Sequence, residues 1–247
     1  MKLLNSINDN VIFIPARSGS TRLKNKNLQK INGKSLLNIK ILLCKKSRIG
    51  KIVVSSNSRK ILNEASKIKG VNIFKREQKY ASSQASSIST ILEYLRHLRK
   101  KNLPLPKFIT LTPVTNPFLS YKTLKKAFIK LKKSKKVESI IGITESSEHP
   151  FLSVKIDKKI KFNVFKINGK SGSDFERSQD VPKNYIQSAS FRISRVNYFL
   201  KYISKKKSSF SRPTFNEKSC TYIKIKKKEN FDINSLEDLR LARIIKT

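Results

Sequence analysis

Residues 10–27 read NVIFIPARSGSTRLKNKN, an apolar run that passes directly into a polar and basic loop. A short apolar run stopped by a proline is typical of a buried β-strand, which we predict at 10–16. The loop joins glycine and small hydroxyl residues to cations, so backbone N–H groups can approach phosphate oxygens whose charge the cations neutralise. Charge alone would equally fit a solvated basic loop, but the position after a buried strand favours a phosphate site.

The chain up to residue 145 alternates between strand and helix patterns. The strands are predicted at 51–56, 71–74, 108–112 and 137–144, and the helices at 35–46, 57–69, 83–101 and 121–133. In the helix at 83–101 the apolar residues recur with the i, i+3, i+4, i+7 spacing of an amphipathic helix. Strands that alternate with helices predict an α/β fold with a mostly parallel sheet flanked by helices. Ligands in such folds bind at the carboxyl ends of the strands.

The pattern changes after Glu145. The predicted elements there are a hairpin at 152–164, strands at 185–193 and 220–225, and helices at 196–203 and 235–246. Ser235 and Asp238 form a capping-box pattern at the start of the last helix. No internal repeat and no linker divides the chain, so we predict a single domain over 1–247. Within it, residues about 145–190 are predicted to form a small insertion or dimerisation arm.

The composition limits the class of protein. The 247 residues include 55 lysines and arginines, 16 aspartates and glutamates, and two cysteines, for a net charge of +39. No run of about 18 apolar residues and no signal-peptide pattern is present, so we expect a soluble cytoplasmic protein without a membrane segment. Such charge attracts nucleic acid. The lysines are nevertheless spread along the whole chain without a basic tail, which makes a nucleic-acid partner the weakest interpretation.

Several familiar catalytic and binding motifs are absent from the sequence. It contains neither the P-loop pattern GxxxxGK[ST] nor the dinucleotide-binding pattern GxGxxG. It also lacks the zinc-protease pattern HExxH and the nucleophile elbow GxSxG. The basic loop at 17–27 is therefore the segment from which a function must be argued.

This loop resembles the signature P-A-R-x-G-S-K-x-[LI]-x-x-K-N of the acylneuraminate cytidylyltransferase, or CMP-sialic acid synthetase, family. The matching positions are Pro15, Ala16, Arg17, Gly19, Ser20, Leu23, Lys26 and Asn27. Further segments resemble the family in the same order: INGKSLL at 31–37, KIVVSSN at 51–57, FKREQKYASSQASSIS at 74–89, TPVTNPFLS at 112–120, SSEHPF at 146–151, RSQDVPKNYIQSASFRI at 177–193 and FDINSLEDLRLA at 231–242. The resemblance covers residues about 10 to 245.

The resemblance implies a nucleotide-diphospho-sugar transferase-like fold, a homodimer and a nucleotidyltransferase activity. The family transfers CMP from CTP to an acidic nonulosonic sugar, a nine-carbon acid of the sialic, legionaminic or pseudaminic type. It releases pyrophosphate and requires Mg²⁺ or another divalent cation. By analogy, Arg17 and Lys26 are the catalytic cations that grip the triphosphate. The other implied site residues are Ala16, Ser20, Asn27, Arg76 and Ser87 for the nucleotide, Gln179, Tyr185 and Ser188 for the sugar, and Asp232 and Asn234 for the metal.

The chain departs from the family at three carboxylates, one of them an aspartate that is replaced near Ser83, and in the sugar pocket. Asn234 replaces the second of two paired aspartates, and it offers Mg²⁺ an oxygen without a charge, so weaker metal affinity is expected. Asn57 also stands where the family has an aspartate. Ser188 begins a Ser-Ala-Ser triplet in place of the family's Asn-Gly-Ala. We hypothesise that Arg192 or Arg177 meets the sugar carboxylate.

Other interpretations follow in decreasing order of support. They are a related nucleotidyltransferase that uses another acidic sugar, a catalytically weakened nucleotide-binding homologue, and a basic nucleic-acid-binding protein. Single residues also have structural interpretations. Asp232 can cap the last helix, and Ser86 or Ser87 can cap the helix that follows them. Lys24 is expected to be solvated, and His149 is interpreted as a turn residue.

Overall fold

A computed structural model describes residues 9–81, 86–156, 162–164, 166–203 and 219–245. Its strands are β1 (Asn10–Pro15), β2 (Lys30–Ile31), β3 (Lys34–Ser35), β4 (Lys51–Ser56), β5 (Val71–Lys75), β6 (Phe108–Leu111), β7 (Ser139–Glu145), β8 (Val154–Ile156), β9 (Phe162–Val164), β10 (Tyr185–Arg195) and β11 (Cys220–Lys224). Its helices are α1 (Leu36–Ser47), α2 (Arg59–Ser66), α3 (Ser87–Lys100), α4 (Tyr121–Lys133), α5 (Val196–Ile203) and α6 (Leu236–Ile244).

The main sheet has seven strands in the order β11, β7, β10, β6, β1, β4, β5. Strand β1 pairs parallel with both β4 and β6. The pairs β4–β5 and β7–β11 are also parallel. The exception is β10, which lies antiparallel between β6 and β7. The prediction of a mostly parallel sheet flanked by helices is therefore confirmed.

The reversed direction of β10 brings its first residues to the edge at which the neighbouring strands end. Tyr185, the first residue of β10, pairs with Glu145, the last residue of β7. Between Gln187 and Arg192 the pairing register shifts, as it does at a β-bulge. The start of β10 and the loops after β1, β4, β6 and β7 therefore share one edge of the sheet, called the carboxyl edge below.

Apolar side chains pack on both faces of the sheet. Ile12 and Ile14 belong to a large cluster with residues of α1, α4 and α6. Val11 and Phe13 belong to a second cluster with residues of α3 and α5. Successive side chains of a strand point to opposite faces, so the continuous apolar run of β1 is explained by helices on both sides.

Most predicted elements lie where the sequence patterns placed them. The strand at 51–56 and the helices at 121–133 and 196–203 have the predicted bounds. The capping box of Ser235 and Asp238 is present, and α6 begins one residue after Ser235. The helix predicted from residue 83 begins at Ser87 after its N-cap Ser86, and residues 82–85 lie outside the described part of the chain.

The segment predicted as an arm contains a separate two-stranded sheet formed by β8 and β9. Its end differs from the predicted boundary near residue 190, because β10 starts at Tyr185 and pairs with β7 in the main sheet. His149 lies in a turn, as interpreted from the sequence, and its Nδ1 accepts a hydrogen bond from the Phe151 N–H at 3.1 Å. The part of the arm outside the main sheet therefore ends before Tyr185.

Candidate functional site

The loop that follows β1 is held in place at both ends by asparagine side chains. The Ser18 N–H donates to Asn57 Oδ1 at 3.0 Å. The amide Nδ2 of Asn27 donates to the Arg17 carbonyl oxygen at 2.9 Å. Asn57 thus orders the start of the loop. A neutral amide at this position adds no negative charge beside a loop expected to bind phosphate.

The turn at the centre of the loop depends on a glycine. Gly19 has a φ of +79°, in the left-handed region that side-chain-bearing residues rarely adopt. The Arg17 Nη1 donates to the Gly19 carbonyl oxygen at 3.1 Å. Ser20 follows and is half-buried, and Ala16 is buried beneath the loop. The guanidinium of Arg17 therefore lies on the same turn as the small residues that the sequence assigned to phosphate binding.

Lys26 joins the loop to a second, distant segment of the chain. Its Nζ donates to the Ile233 carbonyl oxygen at 3.1 Å, across more than 200 residues of sequence. Partial burial lowers the pKa of Lys26, Asp232 raises it, and Arg22 and Arg17 lower it further. Lys26 therefore lies close enough to Asp232 and to both arginines of the loop to interact with them electrostatically.

Asp232 and Asn234 form a short hydrogen-bonded chain with the loop. Asn234 Nδ2 donates to Asp232 Oδ2 at 2.9 Å, and Arg22 Nη2 donates to Asn234 Oδ1 at 3.2 Å. The second oxygen of Asp232, Oδ1, is buried and has no hydrogen-bond partner within the part of the chain that the structure describes. Asp232 thus keeps one acceptor oxygen available, whereas the Asn234 oxygen is engaged by Arg22.

The alternative role of Asp232 as a helix cap is not what the structure shows. Asp238 Oδ2 accepts from the backbone N–H groups of Asn234 and Ser235, both at 2.8 Å. The hydrogen bond from the Asn234 N–H is the largest cause that lowers the pKa of Asp238. Asp238 and Ser235 therefore cap α6, and Asp232 takes no part in the cap.

The donor atoms at this segment fit a metal ion only if the nucleotide shares it. Among residues 9–81, 86–156, 162–164, 166–203 and 219–245, no group of three or more His, Cys, Asp or Glu side chains is placed to hold a metal. Mg²⁺ is commonly bound by one or two carboxylates together with substrate phosphates and water, rather than by a protein cage. The buried, unpartnered Oδ1 of Asp232 suits that arrangement.

Arg76, predicted to face the nucleoside, is buried with 5% of its surface exposed. Its guanidinium donates to the carbonyl and hydroxyl oxygens of Ser55 and to the Tyr80 carbonyl oxygen at 3.2–3.4 Å. Burial lowers the pKa of Arg76 to about 10, although Glu93 raises it, and Arg17 lowers it further. The influence of Arg17 places the predicted nucleoside side and the predicted triphosphate side of the site next to each other.

Ser87 is exposed at the first turn of α3. The cap of this helix is its neighbour Ser86, whose hydroxyl oxygen accepts from the Ser89 N–H at 3.1 Å. The capping role offered by the sequence for either serine therefore belongs to Ser86. The Ser87 side chain remains at the surface, where a nucleoside assignment requires it.

The residues predicted to meet the sugar lie in different surroundings. Tyr185 is at the carboxyl edge, and its Oη accepts from Lys224 Nζ at 2.8 Å. Ser188 is buried, and its hydroxyl donates to Ser190 Oγ at 2.8 Å. Gln179 is exposed on a short 3-10 turn of the arm. The structure thus brings Tyr185 to the expected edge but turns Ser188 towards its own strand.

The two arginines considered for the sugar carboxylate are engaged elsewhere. Arg177 donates through Nε and Nη2 to the two carboxylate oxygens of Asp180, both at 3.0 Å. Arg192 interacts electrostatically with Cys220, the first residue of β11, which pairs with Ser139 at the opposite end of β7 from the carboxyl edge. The hypothesis that either arginine binds the sugar therefore finds no support in the geometry.

Two residues of this region were missed by the sequence analysis as participants in the site. Lys224 contacts Tyr185, and Lys40 is fully buried beneath the Asp232 segment. Lys40 carried a signal, because it interrupts the apolar stripe of α1. Lys224 carried no such signal, because nothing in the sequence distinguishes it from the many other lysines.

A family model described as Cytidylyltransferase matches residues 11–238. The post-translational flagellin modification protein B of Campylobacter coli is 30% identical over 190 residues, which are 76% of this chain and 77% of that protein. The pseudaminic acid cytidylyltransferase of Campylobacter jejuni is 25% identical over 246 residues, which cover 96% of this chain and 95% of that protein.

Solved structures show the same fold at low sequence identity. A CMP:2-keto-3-deoxy-manno-octonic acid synthetase in complex with CTP superposes with a TM-score of 0.66 at 13% identity, over 95% of this chain and 97% of that chain. A 4-diphosphocytidyl-2C-methyl-D-erythritol synthase from Anaerococcus prevotii gives a TM-score of 0.64 at 16% identity, over 96% and 97% of the two chains. Within the described residues, no helix has the length and apolarity needed to cross a membrane.

Proposed function

This chain belongs to the cytidylyltransferase family, and from that premise we propose that it transfers CMP from CTP to the anomeric hydroxyl of an acidic nonulosonic sugar. The family match agrees with the resemblance that the loop at 15–27 indicated from sequence. The observation that carries the proposal is the contact between Lys26 and the Ile233 carbonyl, because it joins the basic loop to the segment of Asp232. Cations for a triphosphate and a carboxylate for a metal thereby meet at one place.

In the proposed reaction, the sugar oxygen attacks the α-phosphorus of CTP. The bond from that phosphorus to the oxygen shared with the β-phosphate breaks, pyrophosphate leaves, and the hydroxyl proton passes to solvent. Negative charge grows on the phosphoryl oxygens and on the leaving pyrophosphate. Fixed cations at those oxygens stabilise the transition state without rearranging. We assign this task to Arg17 and Lys26, with Ser20 and Asn27 beside them in the loop.

Arg76 and Ser87 are proposed to face the nucleoside. Support comes from the electrostatic contact between Arg76 and Arg17, which places Arg76 next to the triphosphate cations. Three of its N–H groups already donate to backbone and hydroxyl oxygens of the protein, so its orientation is set before nucleotide binds. Such preorganisation reduces the entropy lost on binding.

A divalent cation, Mg²⁺ in the first instance, is proposed to be held by Asp232 and by phosphate oxygens of CTP. Bound there, it would neutralise the phosphoryl oxygens and the leaving pyrophosphate. Asn234 is the second proposed ligand, and it must exchange its hydrogen bond with Arg22 to serve. In the structure, the Asn234 Nδ2 group donates a hydrogen bond to Asp232 Oδ2.

The acidic sugar is proposed to bind at the carboxyl edge beside the first residues of β10. The relative named as a pseudaminic acid cytidylyltransferase spans nearly the whole chain, which supports an acceptor of the nonulosonic type. Tyr185 is the predicted sugar residue that lies at this edge, and Lys224 beside it supplies a cation. Gln179 on the arm and Ser188 in the strand remain predicted contacts.

The test is release of pyrophosphate from CTP with Mg²⁺ across a panel of sialic, legionaminic and pseudaminic acids and 2-keto-3-deoxy-manno-octonic acid. ATP, GTP and UTP serve as controls for the base. We expect release that requires CTP together with one of the nine-carbon acids. Release only with the eight-carbon acid would identify a related transferase with another acidic sugar. If no acid supports pyrophosphate release and CTP does not raise the melting temperature, the proposal is contradicted.

A second candidate function is a nucleotide-binding homologue of weakened activity. The observation that favours it is Asn234, whose oxygen carries no charge and is engaged by Arg22. This candidate predicts that CTP raises the melting temperature, since a ligand that binds the folded state stabilises it, while no acid supports turnover. In that case Asn234→Asp, which adds a second carboxylate beside Asp232, is expected to restore pyrophosphate release.

A homodimer that forms through the arm is also proposed. Support comes from three apolar residues of the arm, Leu152, Val154 and Ile156, which are 56%, 50% and 69% exposed. Val154 and Ile156 lie two residues apart on β8 and so share one face of the strand. An apolar face left exposed in this way is typical of an association surface. We further propose a cytoplasmic location, which agrees with the two free cysteines.

Changing Ile156 to glutamate is expected to convert the dimer to a monomer, because it places a charge on the exposed apolar face. Size-exclusion chromatography with light scattering at micromolar concentration would measure the mass. Lys155→Glu is the matched control, since its side chain lies on the opposite face of the same strand. A wild-type monomer, or an equal response of both variants, would refute the dimer.

A further inference from the structure

Lys40 is a charged residue sealed inside the protein. It lies in α1 between apolar neighbours, and none of its surface is exposed. Its Nζ donates to the Asn116 carbonyl oxygen at 2.8 Å. Burial lowers the pKa of Lys40 to about 8, while Cys44 and Asp232 raise it. Burying an ammonium group costs folding free energy unless the group is paired and hydrogen-bonded. A buried lysine at this position therefore suggests a specific role.

The carbonyl that Lys40 binds belongs to a clasp between two distant segments. Asn116 Nδ2 donates to the Phe231 carbonyl oxygen at 3.0 Å. The Ile233 N–H donates to the Thr115 carbonyl oxygen at 2.9 Å. These two hydrogen bonds, the clasp, join Thr115 and Asn116, which follow β6, to Phe231 and Ile233. Asp232 lies between the two clasped residues of the second segment, so the clasp sets its position.

The other end of the clasp reaches the phosphate loop. The Ile233 residue whose N–H is clasped also receives the Lys26 hydrogen bond on its carbonyl oxygen. Asp232 interacts electrostatically with both lysines, Lys26 from the loop and Lys40 from beneath. Lys40 itself is enclosed, so it has no route to the nucleotide, and any effect on the reaction must pass through the clasp.

We propose that Lys40 is a positioning residue for CMP transfer. Its ammonium binds the Asn116 carbonyl and faces the charge of Asp232, and by this it holds the clasp that places Asp232 and Lys26. The proposal rests on the proposed function for its catalytic consequence, whereas the clasp itself is a feature of the fold. In this proposal, the ordering of the two segments of the clasp offsets the desolvation cost of the buried charge.

Lys40→Met, which keeps an unbranched apolar stem without the ammonium group, tests the proposal. We expect kcat to fall about 10- to 100-fold, since displacement of site groups by about 1 Å has effects of this size. The KM for CTP is expected to change little, because Lys40 does not touch the nucleotide. The melting temperature is expected to fall, because the substitution leaves the buried Asn116 carbonyl oxygen without its donor, and kcat is therefore measured per folded enzyme well below that temperature.

Ile41→Val in the same helix is the matched control for a loss of core packing. It should lower the melting temperature slightly and leave kcat unchanged. If Lys40→Met leaves kcat unchanged, Lys40 is not a positioning residue. The same holds if the KM for CTP rises by as large a factor as kcat falls. A purely structural lysine would lower the melting temperature and leave the kcat of the folded enzyme unchanged.

Hydrogen exchange at the Ile233 amide tests the clasp without any activity. We expect faster exchange of this amide in Lys40→Met than in the wild type, with no such change in Ile41→Val. Unchanged exchange would overturn the proposal whatever the kinetics show. If the wild type releases no pyrophosphate with any acid, the proposed function fails, and the exchange measurement still decides whether Lys40 holds the clasp.

Discussion

Replacing Lys26 by methionine is expected to lower the rate of CTP-dependent pyrophosphate release by about 100- to 1,000-fold, the effect of removing one preorganised charge that stabilises a transition state. Methionine keeps the length and the apolar stem of the side chain, so packing is preserved. The lost groups are the ammonium and its hydrogen bond to the Ile233 carbonyl oxygen. The rate is measured at saturating CTP and acid, so that a change in binding does not imitate a change in catalysis.

Lys24→Met is the matched control for this variant. Lys24 belongs to the same loop and is exposed, and its contact with Gln29 is made by its backbone carbonyl oxygen, which the substitution leaves in place. The control removes the same charge from the same loop and should change the rate no more than about threefold, as exposed charges contribute little. Equal losses in the two variants would mean that overall charge, not the place of Lys26, supports catalysis.

Changing Asp232 to asparagine is expected to have a similarly large effect, a fall in rate of at least about 100-fold, because a bound metal contributes several kcal/mol of transition-state stabilisation. Asp232 is the carboxylate among Lys26 and Lys40, and its Oδ1 is the buried oxygen without a partner in the described structure. The Mg²⁺ concentration that gives half of the maximal rate should rise. Both quantities come from one titration of pyrophosphate release against Mg²⁺.

Asp9→Asn serves as the control for the loss of one carboxylate. Asp9 precedes β1 at the edge opposite the site and pairs with Lys107 at 3.2 Å. A surface ion pair of this kind contributes about 0–1 kcal/mol to stability, so the titration should not change. An Asp232→Asn enzyme with the wild-type Mg²⁺ dependence would show that the metal, if required, binds elsewhere.

The strands and helices were well predicted because their signals are local. The bounds of β4, α4 and α5 agree with the sequence patterns, since each segment carries its own apolar periodicity and its own caps or breakers. The direction of β10 had no such signal. Its pattern is the same whether the strand runs parallel or antiparallel, and its place between β6 and β7 depends on the pairing of segments far apart in sequence.

The structure brings some of the predicted site residues together and separates others, and the reason is chemical. Arg17, Lys26 and Asp232 belong to distinctive motifs, and the structure brings them together. Ser188 and Arg192 were placed by their position in a motif, yet the bulge and the sheet register carry their side chains to other neighbours. For such residues the motif indicates the strand but not the direction in which a side chain is free to reach.

Residue order was thus sufficient for the succession of elements and for the chemical class of the reaction, because periodicity and side-chain chemistry act over a few neighbouring residues. Packing was needed to establish which cations surround Asp232. Lys26 and Lys40 interact with it from a loop and from a buried helix, and only contacts between residues far apart in sequence bring these segments together. The interaction energy of charges depends on their separation and on the solvent they exclude, and both are set by the folded chain.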